Sequence, residues 1–192
     1  MYNLKVITVS TRQGRKGPIV ADWILSMLKD RQEFNTIHID LAEVNLPLLD
    51  EPHHPVMMKY TQQHTKDWSK MIIDGDAYIF VAPEYNYGFS SSFKNAIDYL
   101  YREWQYKPVG IVAYGGVAAG TRATQMMKQT FTTISMMPIN ESVNIPFFEQ
   151  FIKDGKFEPN GELVASAENM FKSLLMWTKA LKTMREENNL NI

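Results

Sequence analysis

The sequence predicts an α/β protein built on a doubly wound, five-stranded parallel sheet with helices on both faces. Short apolar runs rich in Val, Ile and aromatic residues recur along the chain and are too short to be helices. Between them lie stretches whose apolar residues keep helical spacing. The chain is 192 residues long with 45% hydrophobic residues. That length and composition suit one domain over residues 1–192 with a substantial core.

The five strand candidates are residues 4–9, 36–39, 77–82, 109–114 and, more weakly, 139–145. Each reads as a strand buried on both faces. After the first strand, Val20, Trp23, Ile24, Met27 and Leu28 fall on one helical face, and Pro18 suits a first helical position, where its missing N–H would be unpaired anyway. Residues 41–55, punctuated by Pro47, Pro52 and Pro55, read as an ordered surface loop at the rim of a site, placed to cover a neighbouring subunit. After the third strand, Phe93, Ile97, Leu100, Tyr101 and Trp104 share a helical face. Residues 144–161 form a second long connection. A final helix carries Leu163, Ala167, Met170, Phe171, Leu174, Thr178 and Leu181, and the polar residues beyond Arg185 are expected to fray.

Composition excludes several kinds of chemistry. There is no cysteine, which rules out disulfides, thiolate catalysis and cysteine-ligated metals. A net charge of -1 gives no reason to expect a nucleic-acid or anionic-membrane partner. The start of the chain lacks a signal-peptide pattern, and no apolar stretch approaches membrane-spanning length, so a cytoplasmic protein is expected. His53 and His54 sit next to each other in a proline-rich loop without further ligands, a poor pattern for a metal site.

Ligands of such sheets bind beyond the carboxyl ends of the strands, which directs attention to residues 10–17, 83–92 and 114–121. The first loop reads Ser10-Thr11-Arg12-Gln13-Gly14-Arg15-Lys16-Gly17 and opens a helix at Pro18. Hydroxyls, cations and glycines before a helix N-terminus favour an anion, and the spacing fits a monophosphate better than a Walker or dinucleotide loop. The alternative is a solvated basic turn. The second loop, Pro83-Glu84-Tyr85-Asn86-Tyr87-Gly88, offers flat faces, an amide and free backbone groups to a heterocycle. In it Gly88 is the position expected to take a positive φ or admit a ligand, and one of Ser90, Ser91 or Ser92 should cap the next helix. Glu84 could instead pair with Lys94 or Arg122, and the tyrosines could simply pack. In the third loop the pair Gly115-Gly116 leaves space and exposed N–H groups, while Thr121 reads as an N-cap. Met126, Met127, Met136 and Met137, and the aromatic run Tyr99, Tyr101, Trp104 and Tyr106, read as core filling or subunit interface.

Taken together, "PEYNYGFSSSFKNAID" resembles the signature of the NADPH-dependent FMN reductase family, which includes quinone, azo-dye and chromate reductases. "VSTRQGRKG" is similar to that family's phosphate loop and "AYGGVAAGTRA" to its glycine-rich flavin loop, in the same order and spacing over roughly residues 4–180. Gln13, Ser90 and Phe93 depart from the usual residues, which bears on substrate preference. The resemblance implies a flavodoxin-like sheet of order 2-1-3-4-5 holding non-covalent FMN. Ser10, Arg12, Lys16, Gly17 and Pro18 would hold the phosphate. Pro83, Glu84, Tyr85, Asn86 and Tyr87 would border the isoalloxazine, and Gly115 and Gly116 would approach its other edge. It further implies NAD(P)H as co-substrate, ping-pong hydride transfer through flavin N5 to quinones or similar small acceptors, and a homodimer or homotetramer. Because the flavin carries the chemistry, no catalytic side chain is nominated. Two competing readings share the architecture. A flavodoxin-type electron carrier is usually strongly acidic, unlike this chain. A response regulator needs strand-end aspartates where Ser10 and Pro83 stand.

Overall fold

A computed structural model describes residues 1–190 of the chain. Five parallel strands form the sheet, β1 (Tyr2–Thr8), β2 (Phe34–Asp40), β3 (Ala77–Pro83), β4 (Pro108–Tyr114) and β5 (Met137–Ile145), in the order β2-β1-β3-β4-β5. The expected sheet and order are therefore present. The strand order reverses between β1 and β3, whose registers pair Thr8 with Val81. The loops after β1, β3 and β4 accordingly lie side by side at one edge.

Helices cover both faces. On one lie α1 (Gly17–Leu28) and the long α6 (Gly161–Glu187), with a short hairpin of β6 (Ile152–Lys153) and β7 (Lys156–Phe157). The buried residues of α1 include Val20, Trp23, Ile24 and Leu28, four of the five in the predicted stripe, with Met27 half-buried. Each such side chain contributes roughly 1.5–3 kcal/mol by leaving water. The other face holds α3 (Gln63–Ile72), α4 (Ser91–Asp98) and α5 (Thr121–Thr133) around an aromatic core. There the Trp68 indole donates to the Ala96 carbonyl at 2.9 Å, and the Phe80 ring lies 5.5 Å from Phe93 and 5.2 Å from Phe131.

Several local expectations change. The central strands β3 and β4 are buried throughout, but β2 and β5, at the sheet edges, alternate with exposed positions because each has a neighbour on one side only. Pro18 is the second helical residue rather than the first, behind Gly17. The helix read over Phe93–Trp104 stops at Asp98 and resumes as a 3-10 turn at Arg102–Trp104. The reason is tertiary. Glu103 is fully buried and accepts from the Tyr60 hydroxyl at 2.8 Å, the Ser69 hydroxyl at 2.6 Å and the Tyr101 N–H at 3.3 Å. A buried carboxylate needs such donors, and an unbroken helix would withhold the Tyr101 N–H. Tyr99 and Trp104 are buried in this chain's own core, so they cannot form a subunit interface. The 41–55 segment opens with a one-turn helix, α2 (Leu41–Val44), and Glu51 then ties the loop to Thr61 and Gln62 through charge-assisted hydrogen bonds that lower its pKa to about 2 against the effect of burial. Beyond Arg185 the helix runs to Glu187, and residues 191–192 lie outside the described part of the chain.

Candidate functional site

The loop after β1 is held by one cation and leaves the others free. Arg15 donates to the Ser10 carbonyl at 2.9 Å and pairs with the nearly buried Asp40 at 2.6 Å, at the end of β2. Asp40 also caps α2 by accepting from the Ala42 N–H. Arg12 and Lys16 are exposed and enter no ion pair among the described residues. The N-terminus of α1 has no side-chain cap; Pro18 carries no N–H, the Ile19 N–H donates to the Lys16 carbonyl at 3.1 Å, and the Gly17 N–H makes no hydrogen bond among the described residues. Within the loop, the N–H groups of Thr11, Arg12, Gln13 and Gly14 make no hydrogen bond among the described residues.

At the base of this loop Ser10 is fully buried, and its hydroxyl has no hydrogen-bond partner of ordinary geometry among the described residues. An unpaired buried hydroxyl is costly unless something else engages it. Gly17 faces it. A Cβ at Gly17 would lie 2.2 Å from Ser10 Oγ and 2.8 Å from the Tyr114 hydroxyl. These atoms outline a small polar cradle that a side chain at residue 17 would fill. Burial pushes the Tyr114 hydroxyl up to about 12, opposed in part by the nearby Ser10 hydroxyl, so it is a protonated donor at neutral pH. Sequence reasoning placed Tyr114 at a strand end and passed over it. The available signal was a tyrosine on the last position of a central strand.

The loop after β3 is built differently. The Tyr85 and Gly88 backbones exchange two hydrogen bonds of 2.9 Å, closing a two-residue turn. Its central residues Asn86 and Tyr87 have φ of 47° and 72°, both left-handed. That is a type I′ geometry, to which asparagine is well suited. The positive φ expected of Gly88 therefore sits at Asn86 and Tyr87, and Gly88 instead makes room for Met126, whose sulfur would be 3.2 Å from an added Cβ. Pro83 is buried as the last residue of β3. The Glu84 carboxylate is engaged by Arg122, accepting from its guanidinium at 2.9 Å and from its N–H at 3.1 Å. Arg122 also lies over the Tyr87 ring at 3.9 Å from its centroid. Arg12 from the first loop approaches the Tyr85 ring at 6.0 Å. Ser90 caps α4 by accepting from the Phe93 N–H, and Ser92 donates to the Val9 carbonyl at 2.7 Å, tying α4 to the end of β1.

In the loop after β4, the Gly115 carbonyl accepts from Phe148 and the Gly116 carbonyl from Phe147, which pins the loop to the exit of β5. The N–H groups of residues 116–118 make no hydrogen bond among the described residues. Nothing lies within 4 Å of where a Gly116 Cβ would be. The cap of α5 is Gly120, with φ 78°, and the Thr121 expected there is the first helical residue. Any Cβ on Gly120 would meet Ala113 at 2.6 Å. Tyr87 and Val117 on these loops stand 69% and 76% exposed, and Phe147, just beyond β5 and bonded to Gly116, 56%, an apolar rim of which the sequence suggested only Tyr87. The 41–48 segment shares a cavity of about 250 Å³ with Thr11 and Ser92, so it borders the first loop.

Three of the four histidines are engaged in hydrogen bonds. His54 caps a 3-10 turn through Val56, His64 pairs with Asp50 at 2.8 Å, and His38 bonds Thr8 at 2.9 Å. No group of three metal-ligating side chains gathers among the described residues. Among them, too, no helix is long and apolar enough to cross a membrane.

A flavodoxin-like sheet with a basic, glycine-bearing loop at its switch point and a preformed turn beside it places the chain among the doubly wound α/β proteins, whose ligands bind at the carboxyl edge. Within that class the assignment is specific: the chain belongs to the NADPH-dependent FMN reductase family, whose sequence model matches residues 3–150. It is 38% identical over 144 residues to an NAD(P)H-dependent FMN reductase of Schizosaccharomyces pombe, covering 73% of this chain and 72% of that one. A probable NADPH:quinone oxidoreductase of Oryza sativa subsp. japonica is 32% identical over 110 residues, covering 55% of this chain and 54% of that protein. Among solved structures, the flavoenzyme NAD(P)H:(acceptor) oxidoreductase FerB from Paracoccus denitrificans superimposes with a TM-score of 0.74 at 17% identity, covering 94% of this chain and 98% of that one. The five-strand order and these matches agree on the fold.

Proposed function

We propose that this chain forms one FMN-binding domain and acts, as a homodimer or homotetramer, as an NAD(P)H-dependent reductase of quinones or similar small acceptors. The observation that carries the reading is the cradle formed by the unpartnered, fully buried Ser10 hydroxyl and Gly17, with Arg12 and Lys16 free above it. A phosphate supplies the acceptors that this set of donors lacks. FMN held there would supply the redox chemistry, the exchange of hydride between NAD(P)H and the acceptor through N5 in a ping-pong cycle.

The residues have separable roles. Ser10, Arg12, Lys16 and the backbone through Gly17 and Pro18 hold the phosphate, with the Tyr114 hydroxyl as a further donor. Pro83, Glu84, Tyr85, Asn86 and Tyr87 border the ring, Glu84 through its backbone carbonyl because its carboxylate is committed to Arg122 and its N–H to the Tyr114 carbonyl. Gly115 and Gly116 leave the other edge open to unpaired N–H groups, donors that favour electron-rich states of a nearby ring. The apolar rim of Tyr87, Val117 and Phe147 keeps water from the open face and suits a flat, apolar acceptor.

Anaerobic stopped-flow mixing of the FMN-loaded protein with NADPH, followed by a quinone, tests this. Rapid bleaching of the flavin absorbance, its return on quinone addition and parallel steady-state double-reciprocal lines are expected. No bleaching, or bleaching without turnover, points to an electron carrier and overturns the reductase reading.

A further inference from the structure

The opposite, amino-terminal edge of the sheet holds an ionisable cluster that the proposed reductase chemistry does not use. Lys107, just before β4, is 6% exposed. Its amine donates to the Ile73 carbonyl at 2.7 Å and to the Tyr78 hydroxyl at 3.4 Å, and no carboxylate lies within ion-pair distance of it among the described residues. Every other cation of the cluster has a carboxylate. Lys5 on β1 pairs with Asp74 at 2.7 Å. Lys182 and Arg185 on α6 pair with Asp76 at 3.1 and 3.3 Å, and Arg185 also donates to the Tyr106 carbonyl at 2.7 Å. Glu103 lies behind, engaged by Tyr60 and Ser69, and Glu186 lines the outer wall. Lys107, Lys182 and Arg185 line one cavity of about 290 Å³, whose wall also carries Asp74 and Asp76, the partners of Lys5 and of Lys182 and Arg185. A liquid water occupies roughly 30 Å³, so a three-atom molecule enters with room to spare.

We propose that Lys107 is a carbamylation site, at which its amine adds carbon dioxide to give a carbamate facing Lys182 and Arg185 in this cavity. The nitrogen lone pair forms an N–C bond to the carbon of CO2, one C=O pair moves to oxygen, and the proton lost from nitrogen leaves to solvent. No electrons change hands and no other reactant is needed. The geometry suits both sides of the reaction. The carbamate nitrogen keeps one N–H for the Ile73 carbonyl, and its oxygens face Lys182 and Arg185, whose remaining N–H groups can donate beside their pairs with Asp76; the Tyr78 hydroxyl stays with the Ile72 carbonyl, to which it donates at 2.8 Å. The amine is also available. Burial first, and the Arg185 charge second, lower it to about 7, against the pull of Asp76, Glu103 and Asp74. An amine charged only below that value is free to attack CO2 at neutral pH, when exposed lysines remain protonated.

The test uses the full, unmodified chain in 13C-bicarbonate at pH 7.5, with carbamates trapped by triethyloxonium and located by peptide mass spectrometry. Label on Lys107 is expected to exceed that on any exposed lysine by about tenfold or more, and to fall by at least about tenfold between pH 8 and pH 6 at fixed dissolved CO2. Trapping in urea should abolish the preference, because the unfolded lysine is ordinary. Lys107→Arg, whose guanidinium stays charged, should lose the label while its far-ultraviolet circular dichroism matches the parent. Absence of label at Lys107, or equal labelling of surface lysines in the folded chain, overturns the proposal. Because the readout involves neither flavin nor NAD(P)H, it is independent of the reductase reading.

Discussion

The loops after β1 and β3 sit side by side, yet one is unfinished and the other is complete. In the first, among the described residues, the Ser10 hydroxyl lacks a partner, the N–H groups of residues 11–14 are unpaired, and Arg12 and Lys16 have no carboxylate. Only Arg15, clasped to Asp40, fixes its path. In the second, Tyr85 and Gly88 satisfy each other, Asn86 and Tyr87 accept the left-handed region, and Glu84 and Arg122 close the turn against α5. Unpaired donors converging on one point call for an anion. A self-satisfied turn presents a fixed surface and gains little from a ligand. The first loop should therefore determine affinity, and the second the shape and electronics of the site.

The largest effect should come from Gly17→Ala. Its Cβ falls 2.2 Å from Ser10 Oγ, inside the cradle itself. We expect FMN affinity to fall by at least about 100-fold, roughly 3 kcal/mol, with a stability loss of about 1–3 kcal/mol from overpacking. Fluorescence titration and thermal melts of the flavin-free protein measure the two separately. Unchanged affinity would show that the cradle is not the phosphate site.

Arg12→Ala comes next. Removing one charge-assisted contact to phosphate should weaken FMN by about 1.5–3 kcal/mol and leave riboflavin binding unaltered, since riboflavin has no phosphate. If both ligands weaken together, Arg12 acts through Tyr85 or the loop's shape, and the division between the two loops blurs.

The smallest effect should lie in the second loop, and a pair of variants sharpens it. Asn86 has φ 47°, a region asparagine tolerates better than alanine does, so Asn86→Ala loses that local fit together with the amide, whereas Asn86→Gly removes the same amide and still accepts the left-handed region. FMN should stay bound at micromolar concentration in both. If the amide meets the ring, both variants shift the flavin midpoint potential and the rate of reduction by NADPH. If the asparagine serves only the turn, the glycine variant behaves like the parent in a spectroelectrochemical titration and only the alanine variant departs.

Much of this was legible before any coordinates. The strands of the sheet, the stripe of α1 and the basic, glycine-bearing loop before it depend on neighbours in sequence, and local patterning reports such features directly. The contacts that finish the site do not. Arg15 with Asp40, Glu84 with Arg122, and Gly17 with Tyr114 each join residues from different elements, and nothing in the spacing of one loop says which distant side chain will meet it. The same limit explains the broken helix after Asp98. Phe93 through Trp104 keeps helical spacing, but the buried Glu103 needed donors that only the folded chain could bring, and the backbone gave way to supply one of them. By itself the sequence determined the α/β class, the strand-helix alternation and the chemical character of three loops, because these follow from composition and periodicity. Only the tertiary structure decided which cations are spent on structure and which stay free, where the left-handed residues fall, and that Lys107 is buried without a carboxylate, because pairing and desolvation are properties of space and not of sequence order.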